Sequence, residues 1–339
     1  MTLLQQLQEG IPLVPQPYHA LAETRGTSAE ELLSQVADLR AQKLIRRLSP
    51  IYDTHQLGYD SSLVAFRLPA EELESAAQIV NAHPGVSHNY ERTHSFNLWF
   101  TLAVSPASQM GLEATVEHLA RLTGAHQVAI LRSVKMYKIG VKLDLDGQAP
   151  ERAAVESTHH PRQPLTERER EVVRLSQEEL ALDLRPFDSQ AARLGLRPEE
   201  LLETLRQFQA RGLLRRFAAI LHHRKVGFSA NGMGVWQVPT ERLDSCGETM
   251  ASFSAVSHCY QRSLAPAWPY NLFTMVHGRS REEVEETLAR IRDACGLPDF
   301  SVLYSTREFK KHRILYFGPQ EREWEESCVS KLGKGLILS

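Results

Sequence analysis

Apolar residues recur along this chain in two rhythms. Over residues 198–211 they fall at Leu201, Leu202, Leu205 and Phe208, one face of a helix that opens on Pro198 and stops at Gly212. Residues 213–220 then read as a β-strand, and residues 167–176 and 189–194 as two shorter helices upstream. Three helices and a strand in that order predict a winged helix-turn-helix, and residues 28–42 supply the matching third helix near the N-terminus. Elsewhere the rhythm alternates strand with helix. Residues 62–68 read as a strand, 69–81 as a helix, 86–92 and 98–104 as a hairpin after the turn His83-Pro84-Gly85, and 112–122 as a second helix. Residues 127–131 and 138–145 supply the closing strands, and βαββαβ is the ferredoxin-like order.

These rhythms occur twice. Pro17-Tyr18 is echoed by Pro186-Phe187, Glu30-Glu31-Leu32-Leu33 by Glu199-Glu200-Leu201-Leu202, and Leu44-Ile45-Arg46-Arg47 by Leu213-Leu214-Arg215-Arg216, all 169 positions apart. Val86-Ser87-His88-x-Tyr90-x-Arg92 returns as Val256-Ser257-His258-x-Tyr260-x-Arg262, now 170 apart. Many matches in one order, at a slowly drifting offset, mark a tandem duplication. The predicted class is α+β: a winged helix followed by a ferredoxin-like unit, twice over. The expected boundaries are 1–57 and 58–146 for the first copy, a polar, proline-rich linker at 147–164, 165–226 and 227–318 for the second copy, and a polar C-terminal tail at 319–339. The two ferredoxin-like sheets are expected to pair, making the chain an internal pseudo-dimer, with a homodimer as a further step.

Composition narrows the function. The 339 residues carry 39 basic and 41 acidic side chains, a formal charge of −2, which argues against a strongly cationic nucleic-acid binder. No apolar run approaches a membrane span, and the N-terminus lacks a signal peptide's basic start and apolar core, so a cytoplasmic protein is expected. Cys246, Cys259, Cys295 and Cys328 form no zinc-like spacing and read as reduced thiols, leaving no metal site of the protein's own. A winged helix joined to a ferredoxin-like domain is the architecture of Lrp/AsnC-type, amino-acid-sensing regulators. The third helices, however, open on Glu30-Glu31 and on Glu199-Glu200, where a groove-reading helix would meet phosphate. DNA is therefore not the expected partner.

Polar chemistry gathers in the α/β parts instead. On a strand, His88, Tyr90 and Arg92 share one face, as do His258, Tyr260 and Arg262. Such a row is either a solvated sheet face or the wall of an anionic-ligand site. Two further basic clusters, Arg215-Arg216 with His222-His223-Arg224-Lys225, and Lys310-Lys311-His312-Arg313, occur only in the second copy. Together with Arg262 they suit a ligand bearing several carboxylates.

The runs Val86–Arg92 with Asn97-Leu98-Trp99-Phe100-Thr101, and Val256–Arg262 with Trp268-Pro269-Tyr270-Asn271-Leu272-Phe273-Thr274-Met275, closely resemble siroheme decarboxylases of the fused D–L type, which serve heme d1 biosynthesis. The resemblance covers both copies up to about residue 318. It implies removal of two acetate carboxyls from siroheme as CO₂, giving 12,18-didecarboxysiroheme, with no cofactor beyond the substrate's own iron tetrapyrrole. It also implies possible company from related subunits of the G and H types. The implied active site is in the second copy. His222 or His223 would donate the proton or ligate the substrate iron, with His258 as competitor for both roles. Arg216, Arg224, Lys225, Arg262, Lys310 and Lys311 would hold carboxylates, and Tyr260, Tyr270 and Asn271 would place the macrocycle. His88, Tyr90, Arg92 and His94 would form an equivalent site or shape the interface. A non-catalytic siroheme-binding subunit and, less favoured, a transcriptional regulator are the alternatives; CO₂ release from siroheme by the chain alone separates them.

Overall fold

The computed structural model describes residues 2–139, 161–221 and 230–335, with side chains up to residue 328. The first repeat contains α1 (Leu3–Glu9), α2 (Pro17–Glu23), α3 (Ala29–Ala41) and β1 (Ile45–Tyr52), then β2 (Asp60–Arg67), α4 (Leu73–Asn81), β3 (Val86–Arg92), β4 (Leu98–Val104), α5 (Gly111–Thr123) and β5 (Gln127–Ile139). The second contains α6 (Glu167–Ser176), α7 (Asp188–Arg193), α8 (Pro198–Ala210) and β6 (Leu214–Leu221), then β7 (Ala230–Trp236), α9 (Leu243–Ser252), β8 (Val256–Arg262), β9 (Leu272–Gly278), α10 (Arg281–Cys295) and β10 (Ser301–Lys311), followed by α11 (Gln320–Gly335). Most of the predicted linker, residues 147–160, lies outside the described residues. Among the described residues no helix is long and apolar enough to cross a membrane.

Contacts divide the chain into two compact units, each drawing on both repeats. One unit holds the helical parts. Its two wing strands pair with each other, β1 antiparallel to β6, with Ile45 opposite Leu221 and Tyr52 opposite Leu214. The apolar face predicted for α8 is buried at Leu201, Leu202, Leu205 and Phe208. One glutamate at each third-helix N-terminus is a capping group. Glu31 closes a capping box with Ser28, and the Glu200 carboxylate accepts from the Arg197 backbone N–H at 2.9 Å.

The other unit is a closed eight-stranded barrel in the order β10-β3-β4-β2-β5-β8-β9-β7. Each repeat contributes a four-stranded ferredoxin-like sheet, and the last strand of each crosses into the other. Residues 127–132 of β5 pair with β2, whereas residues 133–139 pair with β8. Likewise residues 301–304 of β10 pair with β7, and residues 305–311 with β3. The sequence predicts two strands here, at 127–131 and 138–145. The structure instead shows one strand to Ile139, with register shifts between Ser133 and Lys135 and between Met136 and Lys138 that break the alternation. Residues 140–145 lie outside the described residues.

The crossing strands bring side chains with them. Tyr137 of β5 joins the second repeat's core, its ring lying where a Cβ on Gly247 would be 2.4 Å away, and its hydroxyl donates to Asp244 at 2.7 Å. Only glycine at position 247 of α9 leaves room for that ring. Phe309 of β10 packs on the first repeat's core in the same way. A third apolar cluster fills the barrel itself. It takes Ala65, Phe96, Trp99, Ala129 and Leu131 from the first repeat, and Met233, Val235, Trp268, Phe273 and Leu303 from the second.

Most of the expected polar C-terminal tail forms α11. Its apolar content is too sparse to announce a helix, but its carboxylates are anchors. Glu321 accepts from the Ser105 backbone N–H at 3.0 Å, and Glu325 accepts from the Gln109 N–H at 3.1 Å and from the Ser108 hydroxyl. Between them the Trp324 ring sits edge-on to His83 at 4.4 Å and to His118 at 5.7 Å.

Candidate functional site

Alternation along β3 and β8 decides what faces the barrel interior. The Asn89 amide donates to the Ala77 carbonyl and, at 3.0 Å, to Asn81 Oδ1, so residue 89 points at α4. The Cys259 thiol is directed at the Gly247 carbonyl of α9. Their neighbours His88, Tyr90, His258 and Tyr260 therefore face inward. A bulge just before each histidine keeps Val86 and Val256 in the outer cores.

Each row is stacked. The rings of His88 and Tyr90 lie 6.1 Å apart at 30°, those of His258 and Tyr260 6.2 Å apart at 22°. Arg92 lies 5.6 Å from the centre of the Tyr90 ring, and Arg262 5.0 Å from that of Tyr260. Each guanidinium donates Nη1 to a carbonyl of a crossing strand, Arg92 to Leu303 at 3.0 Å and Arg262 to Leu131 at 2.9 Å. Burial pushes both arginines down to about 10, the neighbouring tyrosines opposing the shift. The Nε of each meets no hydrogen-bond partner among the described residues. A buried guanidinium with donors to spare ties strands together, and it can equally receive a carboxylate.

The rows differ at their histidines. In the second repeat Ser257 Oγ lies 2.8 Å from His258 Nδ1 and 2.8 Å from His277 Nε2, so one hydroxyl bridges two imidazoles. In the first, Ser87 Oγ lies 3.0 Å from His88 Nδ1 and 2.7 Å from Thr101 Oγ1. The residue equivalent to His277 there is Ala103, since Ala103 and His277 each donate their backbone N–H, at 3.0 Å, to the matching turn residues Gly85 and Ala255. The sequence immediately around His277 does not mark it as functional. The available signal was a histidine replacing alanine between otherwise repeated hairpins.

The remaining sequence candidates are spread more widely. Asn271 clamps the chain at Val238, accepting from its N–H at 2.9 Å and donating to its carbonyl at 2.8 Å, as Asn97 does at Leu68. Both are positioning groups. Tyr270 shares a hydrogen bond with Ser301 at 2.9 Å and packs on Trp268. His94 Nδ1 accepts from the Phe96 N–H at 3.0 Å, and burial lowers its pKa. Lys310, expected to hold a carboxylate, instead caps a helix: its Nζ donates to the Asn81 and His83 carbonyls at the end of α4, at 2.7 and 3.2 Å. Lys138 does the same for α9 at the Phe253 carbonyl, 2.8 Å. A local charge cluster reads as an anion site only while the carbonyls facing it across the fold are unknown. Lys311 stands opposite His88 in the β3–β10 ladder. Arg216 is half-buried on β6 in the helical unit, its pKa lowered by burial and by Arg215. His222, His223, Arg224 and Lys225 lie outside the described residues.

Comparison with known proteins matches both parts of each repeat. The model of the AsnC-like ligand-binding domain matches residues 56–138 and 225–310, and that of the siroheme decarboxylase NirDL-like HTH domain matches residues 1–46 and 169–215. A siroheme decarboxylase of Hydrogenobacter thermophilus is 43% identical over 97% of this chain and 98% of its own length. The chain belongs to the siroheme decarboxylase family. A crystal structure of the siroheme decarboxylase NirDL superposes with a TM-score of 0.79 at 39% identity, covering 98% of both chains. A second, of NirDL in complex with an iron-uroporphyrin III analogue, gives 0.78 at 39% identity over 97% of this chain and 98% of that one. The duplication is visible within the siroheme decarboxylases too. The beta subunit of Methanosarcina barkeri, 43% identical, matches 41% of this chain over 92% of its own length.

Proposed function

We propose that this chain is a carboxy-lyase that converts siroheme to 12,18-didecarboxysiroheme in heme d1 or a related heme biosynthesis, acting from the second-repeat row of the barrel. Family membership supports the reaction. The observation that carries the placement is the Ser257 hydroxyl bridging His258 and His277 in that row alone.

Each turnover breaks the bond between an acetate methylene and its carboxylate. CO₂ leaves, and the electron pair stays on the methylene carbon, conjugated to the macrocycle. A proton completes the methyl group, so two acetates consume two protons. The substrate's own ring serves as electron sink, which is why no separate organic cofactor is invoked. His258 supplies the proton at Nε2, the nitrogen that Ser257 does not engage. Ser257 can accept from His277 Nε2–H while donating to His258 Nδ1, so the charge left when His258 gives up its Nε2 proton is neutralised from His277, and solvent returns a proton to each ring before the next turnover. Arg262 holds a substrate carboxylate and Tyr260 lies against the macrocycle. His222, His223, Arg224 and Lys225 remain proposed partners in the same roles, and His223 or His258 remains a proposed ligand of the substrate iron.

A second reading is favoured by one fact: the half-length relative is a subunit. This chain would then bind siroheme but need a G- or H-type subunit, or a second copy of itself, for turnover. Four buried cysteines that form no disulfide support a cytoplasmic setting for either reading. Anaerobic incubation of siroheme with the purified chain, followed by mass analysis, decides. Loss of one and then two CO₂ supports the enzyme; bound but unchanged siroheme supports the subunit; no binding sinks both.

A further inference from the structure

The crossing strands dock through matched sets of side chains, and the two sets are not interchangeable. Residues of β10 stand 172 positions after those of β5, and residues of α9 stand 170 after those of α4. Lys135 and Tyr137 of β5 thus correspond to Arg307 and Phe309 of β10, and Asp244 and Gly247 of α9 to Glu74 and Ala77 of α4. Register shifts fall at the same places in both strands, so the docking geometry is alike. In each, a cation pairs with the helix carboxylate, Lys135 with Asp244 and Arg307 with Glu74. Each cation also covers the ring two residues on, at 5.0 and 4.9 Å. The rings are held differently. The Tyr137 hydroxyl donates to Asp244 Oδ1 at 2.7 Å, and this tether lays the ring across the bare backbone of Gly247, one turn further along α9. A Cβ there would meet ring atoms Cε2 and Cζ at 2.4 Å. Phe309 has no hydroxyl to tether and packs on a core that includes Ala77.

We infer that these residues form a pairing key: the helix of each repeat fits the crossing strand of the other repeat better than that of a second copy of itself. Two first repeats brought together would set Tyr137 against Ala77, whose Cβ occupies the space that the tethered ring needs. Two second repeats would set Phe309 against Gly247, leaving a void at the missing methyl group and Asp244 without the tyrosine hydroxyl. One like pair is overpacked and the other underpacked. The unlike pair is matched at both crossings. A duplicated chain has a use for such a key, independent of the reaction it performs. Its halves share their strand edges, so two chains could otherwise exchange like halves and separate the two rows that differ.

Melting and elution of the full chain test this. Exchanging the helix residues alone, Glu74→Asp/Ala77→Gly/Asp244→Glu/Gly247→Ala, mismatches both internal crossings and matches the like pairs. A glycine and an alanine trade helices, so their helix propensities cancel. This variant is expected to melt about 5 °C or more below the parent, or to shift to twice the parent's mass as two chains pair like with like. The complete exchange adds the strand residues, Lys135→Arg/Tyr137→Phe/Arg307→Lys/Phe309→Tyr. It is expected to return the melting temperature to within about 2 °C of the parent, and the mass to the parent's. A helix-exchanged variant that melts and elutes with the parent would overturn the inference. So would a complete exchange that fails to recover, since the loss would then be strain within one helix and not a mismatch between repeats. Should the helix-exchanged variant not fold at all, recovery or its failure in the complete exchange still decides.

Discussion

A serine hydroxyl has a single proton, so Ser257, within 2.8 Å of a nitrogen on each of two histidines, cannot donate to both at once. Its proton can go to either ring or to the Met275 carbonyl at 3.3 Å, and in the proposed relay the removal of His277 leaves His258 in place without a second imidazole to exchange with. His277→Ala is therefore expected to lower kcat on siroheme by about a hundredfold, in the range of general-acid effects, with KM little changed. Stopped-flow turnover across pH checks it. The variant's pH profile should move with the lost second imidazole, and Ser257→Thr should restore what Ser257→Ala removes. A kcat within a few-fold of the parent and an unmoved profile would assign His277 to packing. Arg262 is a separate case at this scale. Lysine retains its charge but cannot span Tyr260, Phe273 and the Leu131 carbonyl as a planar guanidinium does. Arg262→Lys should weaken siroheme binding by roughly tenfold and lower the melting temperature, both readable in one titration and one melt.

At the scale of elements, α11 couples docking to pH through two groups of opposite sign. His83 is buried beneath Trp324, its Nδ1 accepting from the Gly85 N–H at 2.9 Å, and desolvation first, then Lys310, pushes its pKa down to about 3. As pH falls below about 6.5, the unfolded chain takes up a proton that native His83 refuses, so stability is lost down to about pH 3. Glu321 behaves in reverse. Burial first raises its pKa to about 7, with Glu325 adding to the rise against the Ser105 N–H. Between its ordinary value of 4.5 and 7 the native chain holds a proton that the unfolded chain lacks, so this contribution grows as pH falls. The two should nearly offset from pH 6.5 to 4.5, giving a flat melting temperature that drops steeply below. Glu321→Gln should expose the His83 slope from pH 6.5 downward in a melting series; an unchanged profile would refute the assignment. None of this was legible in residues 319–339, because the anchors of α11 are carboxylates on backbone N–H groups far away in sequence. The His–Tyr–Arg rows could be read, since strand alternation is local, whereas the bulges of β5, the caps made by Lys138 and Lys310 and the bridge to His277 depend on what lies across the ladder.

For the molecule as a whole, the repeats could be seen in the sequence but their exchange of strands could not, since offsets record duplication and say nothing of which sheet a strand completes. The exchange makes each repeat an incomplete barrel half. Without its twin, the first repeat would present β3 and the outer part of β5 as bare edges. It would also uncover Trp99 and Phe96, which now face Trp268 at 4.9 and 5.8 Å. The helical unit would lose the β1–β6 pairing as well. Covalent continuity at the join contributes little beyond raising the local concentration of one repeat about the other. Cutting the gene between Ala153 and Ala154 and co-expressing the two pieces should therefore yield a one-to-one complex that elutes with the parent and binds siroheme. Each piece expressed alone should aggregate or pair with itself, closing a symmetric barrel in which the edges of β3 and β5 meet their own copies. That homodimer is the informative outcome, because the first repeat paired with itself carries two β3 rows and no His277, and the second paired with itself carries Glu308 and Lys311 beside both β8 rows. Only the mixed pair sets β8 and His277 against β5, so only the mixed pair should turn siroheme over. A self-paired first repeat that did so would remove the whole asymmetric account.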